Sequence, residues 1–334
     1  MDGTIVIGIE SSAHTLGIAI ARKKNDQKVE ILSNCQAKYP SSTTGYIPRK
    51  LADHHVEKFP LVLAEALDKA GVKLADLDYI AYTRGPGMGH CLQVGCDAAR
   101  TLSTFLGKPL VPVNHALAHA EIVKHLEGAI DPLVVYVSGG NTQILFLDGK
   151  RYRVLGETLD IGIGNFLDQL GRELALEPPD AVGVLKLAAL ADCKYIPMPY
   201  VVKGMSVSYS GMLTNAKKLG KAPGASKKDI SFSAQETAFS ALCEASERAL
   251  LHVNKKEVVL CGGNARNKRL AAMMGLMAQE NGAKLLVGKD EYLGDNAAMI
   301  ALTGALMAES GSYKKINNPG PVQDLRMDQE DIGW

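Results

Sequence analysis

Leu133-Val134-Val135-Tyr136-Val137-Ser138-Gly139-Gly140-Asn141-Thr142-Gln143-Ile144-Leu145-Phe146-Leu147 reads as two β-rich runs joined by a tip of small, turn-forming residues. The N-terminus carries the same pattern. Residues 4–9 are β-rich, Ser11, Ser12, Ala13, His14 and Thr15 make a small-residue turn, and 16–21 resume an apolar run. A hairpin that recurs near the middle of a chain of 334 residues predicts a duplicated fold. Between the hairpins, residues 53–70 place apolar side chains at helical spacing, and 77–83 read as a strand leading into Gly85-Pro86-Gly87-Met88-Gly89. Strands that alternate with helices define an α/β class. No short-period repeat is present, which excludes solenoids and propellers.

A second strand-like run, 257–261, leads into Gly262-Gly263-Asn264 and echoes the Ser138-Gly139-Gly140-Asn141 turn. Glycines at a strand end let a phosphate or nucleoside approach the backbone with no Cβ in the way. One such pair is an ordinary tight turn, but two, with the small-residue hairpin, point to a bound nucleotide. Residues 217–228, with five lysines plus Gly220, Pro223 and Gly224, read as an exposed, solvated loop.

Lysine and arginine number 37 against 36 acidic residues, so a net charge of +1 provides no global attraction to a polyanion. Nucleic-acid binding must then use local patches or a partner. The six cysteines, at 35, 91, 96, 193, 243 and 261, form no Cys-x-x-Cys pair and show no disulfide or zinc-ribbon spacing, which fits a reducing cytoplasm. The N-terminus has no basic region before its apolar stretch, which Glu10 interrupts, so it reads as a first strand. The longest apolar runs, such as 296–308, fall short of the ~18 residues a spanning helix needs, and no membrane span is expected.

His115 and His119 lie four apart in a segment that Asn114 can cap as a helix, which puts both imidazoles on one face. Such a pair is more often solvated or hydrogen-bonded than metal-binding, and the general-base glutamate of a zincin is missing because Ala116 follows His115. Candidate oxygen ligands are Asp295, which otherwise serves as the N-cap of an apolar helix, and Tyr136, which otherwise packs along its strand. Asp168 follows Gly162-Ile163-Gly164-Asn165 at the expected start of a helix, where capping and a ribose hydroxyl are its two possible roles.

Ordered motifs cover nearly the whole chain. They include Gly8-Ile-Glu-Ser-Ser-Ala-His-Thr15, Arg84-Gly-Pro-Gly-Met-Gly89, Val113-Asn-His-Ala-Leu-Ala-His119, Tyr136-Val-Ser-Gly-Gly-Asn-Thr-Gln143, Gly156-Glu-Thr-Leu-Asp-Ile-Gly-Ile-Gly-Asn165 and Gly294-Asp-Asn296. In them the chain resembles the tRNA threonylcarbamoyladenosine synthase family in its archaeal and eukaryotic KEOPS-complex form, once labelled an O-sialoglycoprotein endopeptidase. The resemblance implies an actin/Hsp70-like (ASKHA) fold of two duplicated lobes with a nucleotide cleft between them, here 1–125 plus 297–334 and 126–296. It implies one iron or zinc ion on His115, His119, Tyr136 and Asp295. Tyr136, Val137, Ser138, Gly139 and Gly140 would face the phosphate of an adenine nucleotide, threonylcarbamoyl-AMP as donor or ATP and its analogues, with Asp168 and Asn267 on its sugar and base. The implied reaction transfers the threonylcarbamoyl group to the exocyclic amine of the adenosine beside the tRNA anticodon, position 37, with release of AMP. A small kinase-like ATPase, a small dimerising subunit and an accessory subunit are the implied partners.

The chain departs from the family at Ala181 and Leu185, which stand where a glycine and a ribose-binding glutamate are usual, and in residues 90–93, Ser206, Tyr209, Asn264 and Arg266. Three other functions compete with the transferase. A phosphotransferase of the same superfamily would use magnesium, which prefers oxygen ligands to a histidine pair. A noncatalytic scaffold would bind nucleotide and metal without turnover. A metalloprotease would need the absent His-Glu-x-x-His arrangement.

Overall fold

The computed structural model describes residues 3–24, 28–40, 46–316 and 318–334. The chain forms two compact units, one of 1–128, 148–152 and 288–334, the other of 129–147 and 153–287. In the first, β1 (Thr4–Glu10), β2 (Thr15–Lys23) and β3 (Glu30–Lys38) form an antiparallel meander. Its β1–β2 turn is the Ser11–His14 tip, as the small residues there predict. Helix α1 (Pro48–Ala70) leads to β4 (Tyr79–Gly85), α2 (Gly89–Leu106) to β5 (Leu110–Asn114), and α3 (His115–Glu127) follows β5 with no intervening loop. Strands β4 and β5 add in parallel beside β1, so the sheet order is β3-β2-β1-β4-β5.

The second unit begins with β6 (Leu133–Val137), β7 (Thr142–Asp148) and β8 (Arg151–Glu157), followed by α4 (Ile163–Glu173) and α5 (Ala181–Ala188). A two-stranded ribbon, β9 (Val202–Lys203) and β10 (Ser206–Val207), precedes α6 (Ser210–Gly220) and the long α7 (Lys227–Val253). Then come β11 (Glu257–Cys261), α8 (Lys268–Glu280) and β12 (Lys284–Val287). Here the order is β12-β11-β6-β7-β8, with β6–β7 antiparallel and β6–β11 and β11–β12 parallel. Each sheet thus places two parallel strands beside the first strand of a three-stranded run, and the recurring hairpin marks a duplicated topology.

The lysine-rich stretch 217–228 is not one loop. Lys217 and Lys218 occupy the last turn of α6 and Lys227 opens α7, leaving only 221–226 between the helices. Cations in a last turn complement the exposed carbonyls there, so the lysines mark a helix end instead of a long connection.

The chain returns to the first unit through α9 (Asp290–Leu293) and α10 (Ala297–Ser310). Helix α10 is buried along 297–307 against β1, β2 and β4. Small residues permit that approach: a Cβ on Gly8 would lie 2.3 Å from the Ala301 backbone nitrogen, and one on Gly304 2.4 Å from the Ala81 Cβ. The last segment crosses the same unit. Val322 N donates to Arg84 O (2.8 Å), Asn114 Nδ2 to Arg326 O (3.0 Å) and Trp334 Nε1 to Glu121 Oε2 (2.9 Å), so the start and the middle of α3 are tied down. Among the described residues, no helix is long and apolar enough to cross a membrane, and all six cysteines are free thiols.

Candidate metal centre

Helix α3 starts where β5 ends because Asn114 is its N-cap, with Oδ1 accepting from Ala116 N (3.0 Å) and Leu117 N (3.1 Å). That cap sets the phase of the helix and turns His115 and His119 onto one face. Their rings lie 4.7 Å apart, edge to face, and His119 is only 1% exposed. Asp295 stands in the short link between α9 and α10. It is not the N-cap of α10: Asn296 is, accepting from Met299 N at 3.0 Å, and this leaves the Asp295 carboxylate free to face the histidines. Asp295 Oδ1 lies 3.5 Å from His115 Nε2 and 3.4 Å from His119 Nε2, and one donor atom from each residue falls within 4.8 Å of the others.

Glu10, at the end of β1, completes the cluster. Its fully buried carboxylate accepts from His115 Nδ1 (2.9 Å), Ser12 N (2.6 Å) and Thr83 Oγ1 (2.7 Å). This bond keeps Nδ1–H on Glu10, so Nε2, the atom that faces Asp295, is the one that would give up its proton to bind a metal. Burial opposes charge on His115, but Glu10 and then Asp295 outweigh it and hold the imidazole up at about 9. Burial dominates at His119, whose pKa is lowered. At Asp295 burial is outweighed by the His119 hydrogen bond and the charge of His115, and the carboxylate is held well below its usual range. Two imidazoles and a carboxylate, enclosed and backed by a second carboxylate, form a donor set that suits a borderline transition-metal ion better than magnesium.

The sequence reading did not single out Glu10 as a site residue. The only signal was a charged residue ending an otherwise apolar strand, which reads equally well as the end of burial.

The remaining predicted residues all belong to the second unit. Tyr136 is on β6 and 1% exposed. The Ser138–Asn141 turn closes through Ser138 N to Asn141 O (2.8 Å) and packs on the start of α4 through Asn165 N to Gly139 O (2.9 Å). Gly262, at φ 92°, abuts the end of β6, where a Cβ would lie 2.4 Å from Val137 O, so the two glycine turns are neighbours. Asp168 does not cap α4. It lies within that helix, and its Oδ1 accepts from Ala181 N (2.9 Å), which pins the start of α5. Asn267 caps α8 through Arg269 N (2.9 Å) and Leu270 N (3.1 Å).

Comparison with known proteins places these features in a family. The family model described as TsaD, tRNA N6-adenosine threonylcarbamoyltransferase, matches residues 29–302. Proteins named tRNA N6-adenosine threonylcarbamoyltransferase are 45% identical over 330 residues in Thermococcus kodakarensis, covering 99% of both chains, and 46% identical over 329 residues in Thermofilum pendens, covering 98% of this chain and 96% of that one. A probable bifunctional tRNA threonylcarbamoyladenosine biosynthesis protein of Methanococcus maripaludis is 44% identical over 99% of this chain, which spans 59% of its length. Among solved structures, HypF of T. kodakarensis superposes with a TM-score of 0.65 at 16% identity, over 92% of this chain and 48% of that one. The Acidaminococcus fermentans (R)-2-hydroxyglutaryl-CoA dehydratase component A superposes with a TM-score of 0.55 at 15% identity, over 92% and 100%. These likenesses establish the actin/Hsp70-like type of fold.

Proposed function

The chain belongs to the tRNA N6-adenosine threonylcarbamoyltransferase family and is a transferase that modifies tRNA, and from this premise we propose that His115, His119 and Asp295 hold one iron or zinc ion at its active site. The observation that carries this reading is the enclosed cluster itself, two imidazoles and a carboxylate within 4.8 Å of one another with Glu10 behind His115. The bound ion would supply Lewis acidity toward the carbonyl of the donor.

The transferred group comes from threonylcarbamoyl-AMP, a mixed anhydride that is already activated, so the protein has to bind, orient and exclude water more than to create a nucleophile. The exocyclic nitrogen of the adenosine attacks the carbamoyl carbon, the new C–N bond forms, and the C–O bond to the phosphate breaks. AMP leaves with that electron pair, and the proton lost by the amine passes to solvent. No serine or cysteine is assigned as a nucleophile.

The adenylate is assigned to the second unit. The exposed Gly139–Gly140 turn offers backbone N–H groups to phosphate, and no side chain there obstructs the approach. Asp168 keeps Oδ2 for a ribose hydroxyl, and Asn267 keeps its amide N–H groups for the sugar or base once its oxygen has capped α8. Leu185 provides no acceptor, so Asp168 carries the ribose contact without a neighbouring glutamate. The chain acts in the cytoplasm with a small kinase-like ATPase, a small dimerising subunit and an accessory subunit as partners. Support for such partnership comes from the bifunctional relatives, in which further sequence accompanies the part this chain matches.

The test is threonylcarbamoyl transfer to unmodified tRNA by wild type, His115→Ala and Asp295→Ala, with metal content measured alongside. Both variants should lose metal, and transfer should fall by about 10²–10³-fold, the scale of removing a preorganised charge stabiliser. Wild-type protein that is fully loaded with metal yet transfers nothing would leave a scaffold role instead.

A further inference from the structure

The hairpin tip that reaches the metal cluster also carries an aromatic wall. Glu10 joins the tip to His115, Ser12 O accepts from Met88 N (2.7 Å), and His14 O accepts from Tyr39 N (2.8 Å), so the backbone carrying His14 is fixed on both sides. The His14 ring lies on the ring of Tyr46, with centroids 5.2 Å apart and planes 7° from parallel. Tyr39 meets Tyr46 edge to face with centroids 6.4 Å apart, and meets His54 in the same way at 5.4 Å. Although His14 covers one of its faces, Tyr46 remains 39% exposed. A partly exposed aromatic side chain is thus stacked on the hairpin tip whose Glu10 reaches His115 of the candidate metal centre.

The reaction gives such a surface a task. The acceptor amine belongs to a base in a single-stranded loop, and taking a base out of its stack costs a few kcal/mol. Proteins that hold single-stranded nucleic acid offset that cost by stacking bases on aromatic side chains. With a net charge of only +1, this chain has little general electrostatic attraction to use in its place. Resting on the transferase reading above, we infer that the His14–Tyr46 stack is the platform on which the splayed target adenine lies while its amine faces the metal centre. The hydroxyl of Tyr46 has no part in this; the ring does.

The experiment uses the full chain and a tRNA anticodon stem-loop with 2-aminopurine, whose fluorescence is quenched by stacking, at the target position. Wild type and Tyr46→Phe should quench the probe to the same extent, and Tyr46→Ala should not. In parallel transfer assays Tyr46→Ala should lower kcat/KM for tRNA by about tenfold or more, the usual effect of truncating a stacking ring, and Tyr46→Phe should change it by less than about twofold. Metal content and melting temperature should be equal in all three proteins. The inference is overturned if Tyr46→Ala quenches the probe like wild type, if Tyr46→Phe is as impaired as Tyr46→Ala, or if the alanine variant loses its metal. Quenching by a wild-type protein that transfers nothing would sink the transferase reading alone and leave the platform standing.

Discussion

Glu10 shows how much of a site can rest on a residue that touches no ligand. Its buried carboxylate accepts hydrogen bonds from His115, Ser12 and Thr83, and the His115 bond decides which imidazole nitrogen is left to bind a metal. Partners of this kind typically set 10–100-fold in metal affinity. Glu10→Gln, which keeps the shape and removes the charge, should therefore weaken metal binding by about that factor while leaving the fold intact. Competition with a chromophoric chelator would measure it, and an affinity equal to wild type would reduce Glu10 to packing. The His115–His119 pair was visible in the sequence because an i, i+4 spacing after a capping asparagine has few other geometric outcomes. Asp295 was half visible: adjacent Asp295 and Asn296 are both good caps, and only the backbone shows that Asn296 takes that role. Glu10 was not visible, since a charge at a strand end looks the same whether the next atom is water or an imidazole.

At the scale of elements, α10 and β1 depend on missing side chains. Gly8 lies against the α10 backbone, and a methyl group there would fall 2.3 Å from Ala301 N and 2.7 Å from Ala297 O, neither of which can rotate away. Helix α10 begins one residue after Asn296 and directly follows the Asp295 link, so any displacement of the helix is passed to the metal cluster. Gly8→Ala should destabilise the protein by about 1–3 kcal/mol, the range for overpacking, and reduce metal retention with it. A urea midpoint unchanged from wild type would show that α10 has room to shift. The glycines of 8 and 304 were unremarkable in sequence, because nothing local says which helix will lie across them. The lysines of 217–228 misled for the opposite reason: their charge is as suited to a helix end as to a loop, and only the short Pro223-Gly224 break separates α6 from α7. The hairpins were legible because strand alternation and turn chemistry are both local. The parallel pairing of β6 with β11 joins residues more than a hundred positions apart and leaves no local trace.

For the molecule as a whole, titratable groups whose surroundings in the folded chain shift their pKa set how stability responds to pH. His55, on α1 in the first unit, is fully buried, with His54 beside it at 5.8 Å. Burial first, and then the charge of His54, lower its pKa from 6.5 to about 4, against a raising influence from Glu10. The sign follows from proton uptake. Between these values the unfolded chain binds a proton that the folded one does not, so the contribution is complete above 6.5 and is lost as the pH falls through about 4. One such proton changes stability by up to about 1.4 kcal/mol per pH unit within that window. Asp160 extends the loss to lower pH. Burial would raise its pKa, but hydrogen bonds from Ser208 and Ser210 and from the Tyr209 and Ile161 backbones lower it well below 3.8, so its contribution is present above that value and disappears on further acidification. Urea midpoints measured across the acid range should therefore fall below pH 6.5, and His55→Gln should flatten the fall between 6.5 and about 4 even if the variant starts less stable. Asp160→Asn should leave that upper slope as in wild type and alter only the limb below it. If His55→Gln keeps the wild-type slope, its buried imidazole is not what couples this fold to protons, and the acid sensitivity belongs to other groups, the burial-lowered His119 and His125 among them.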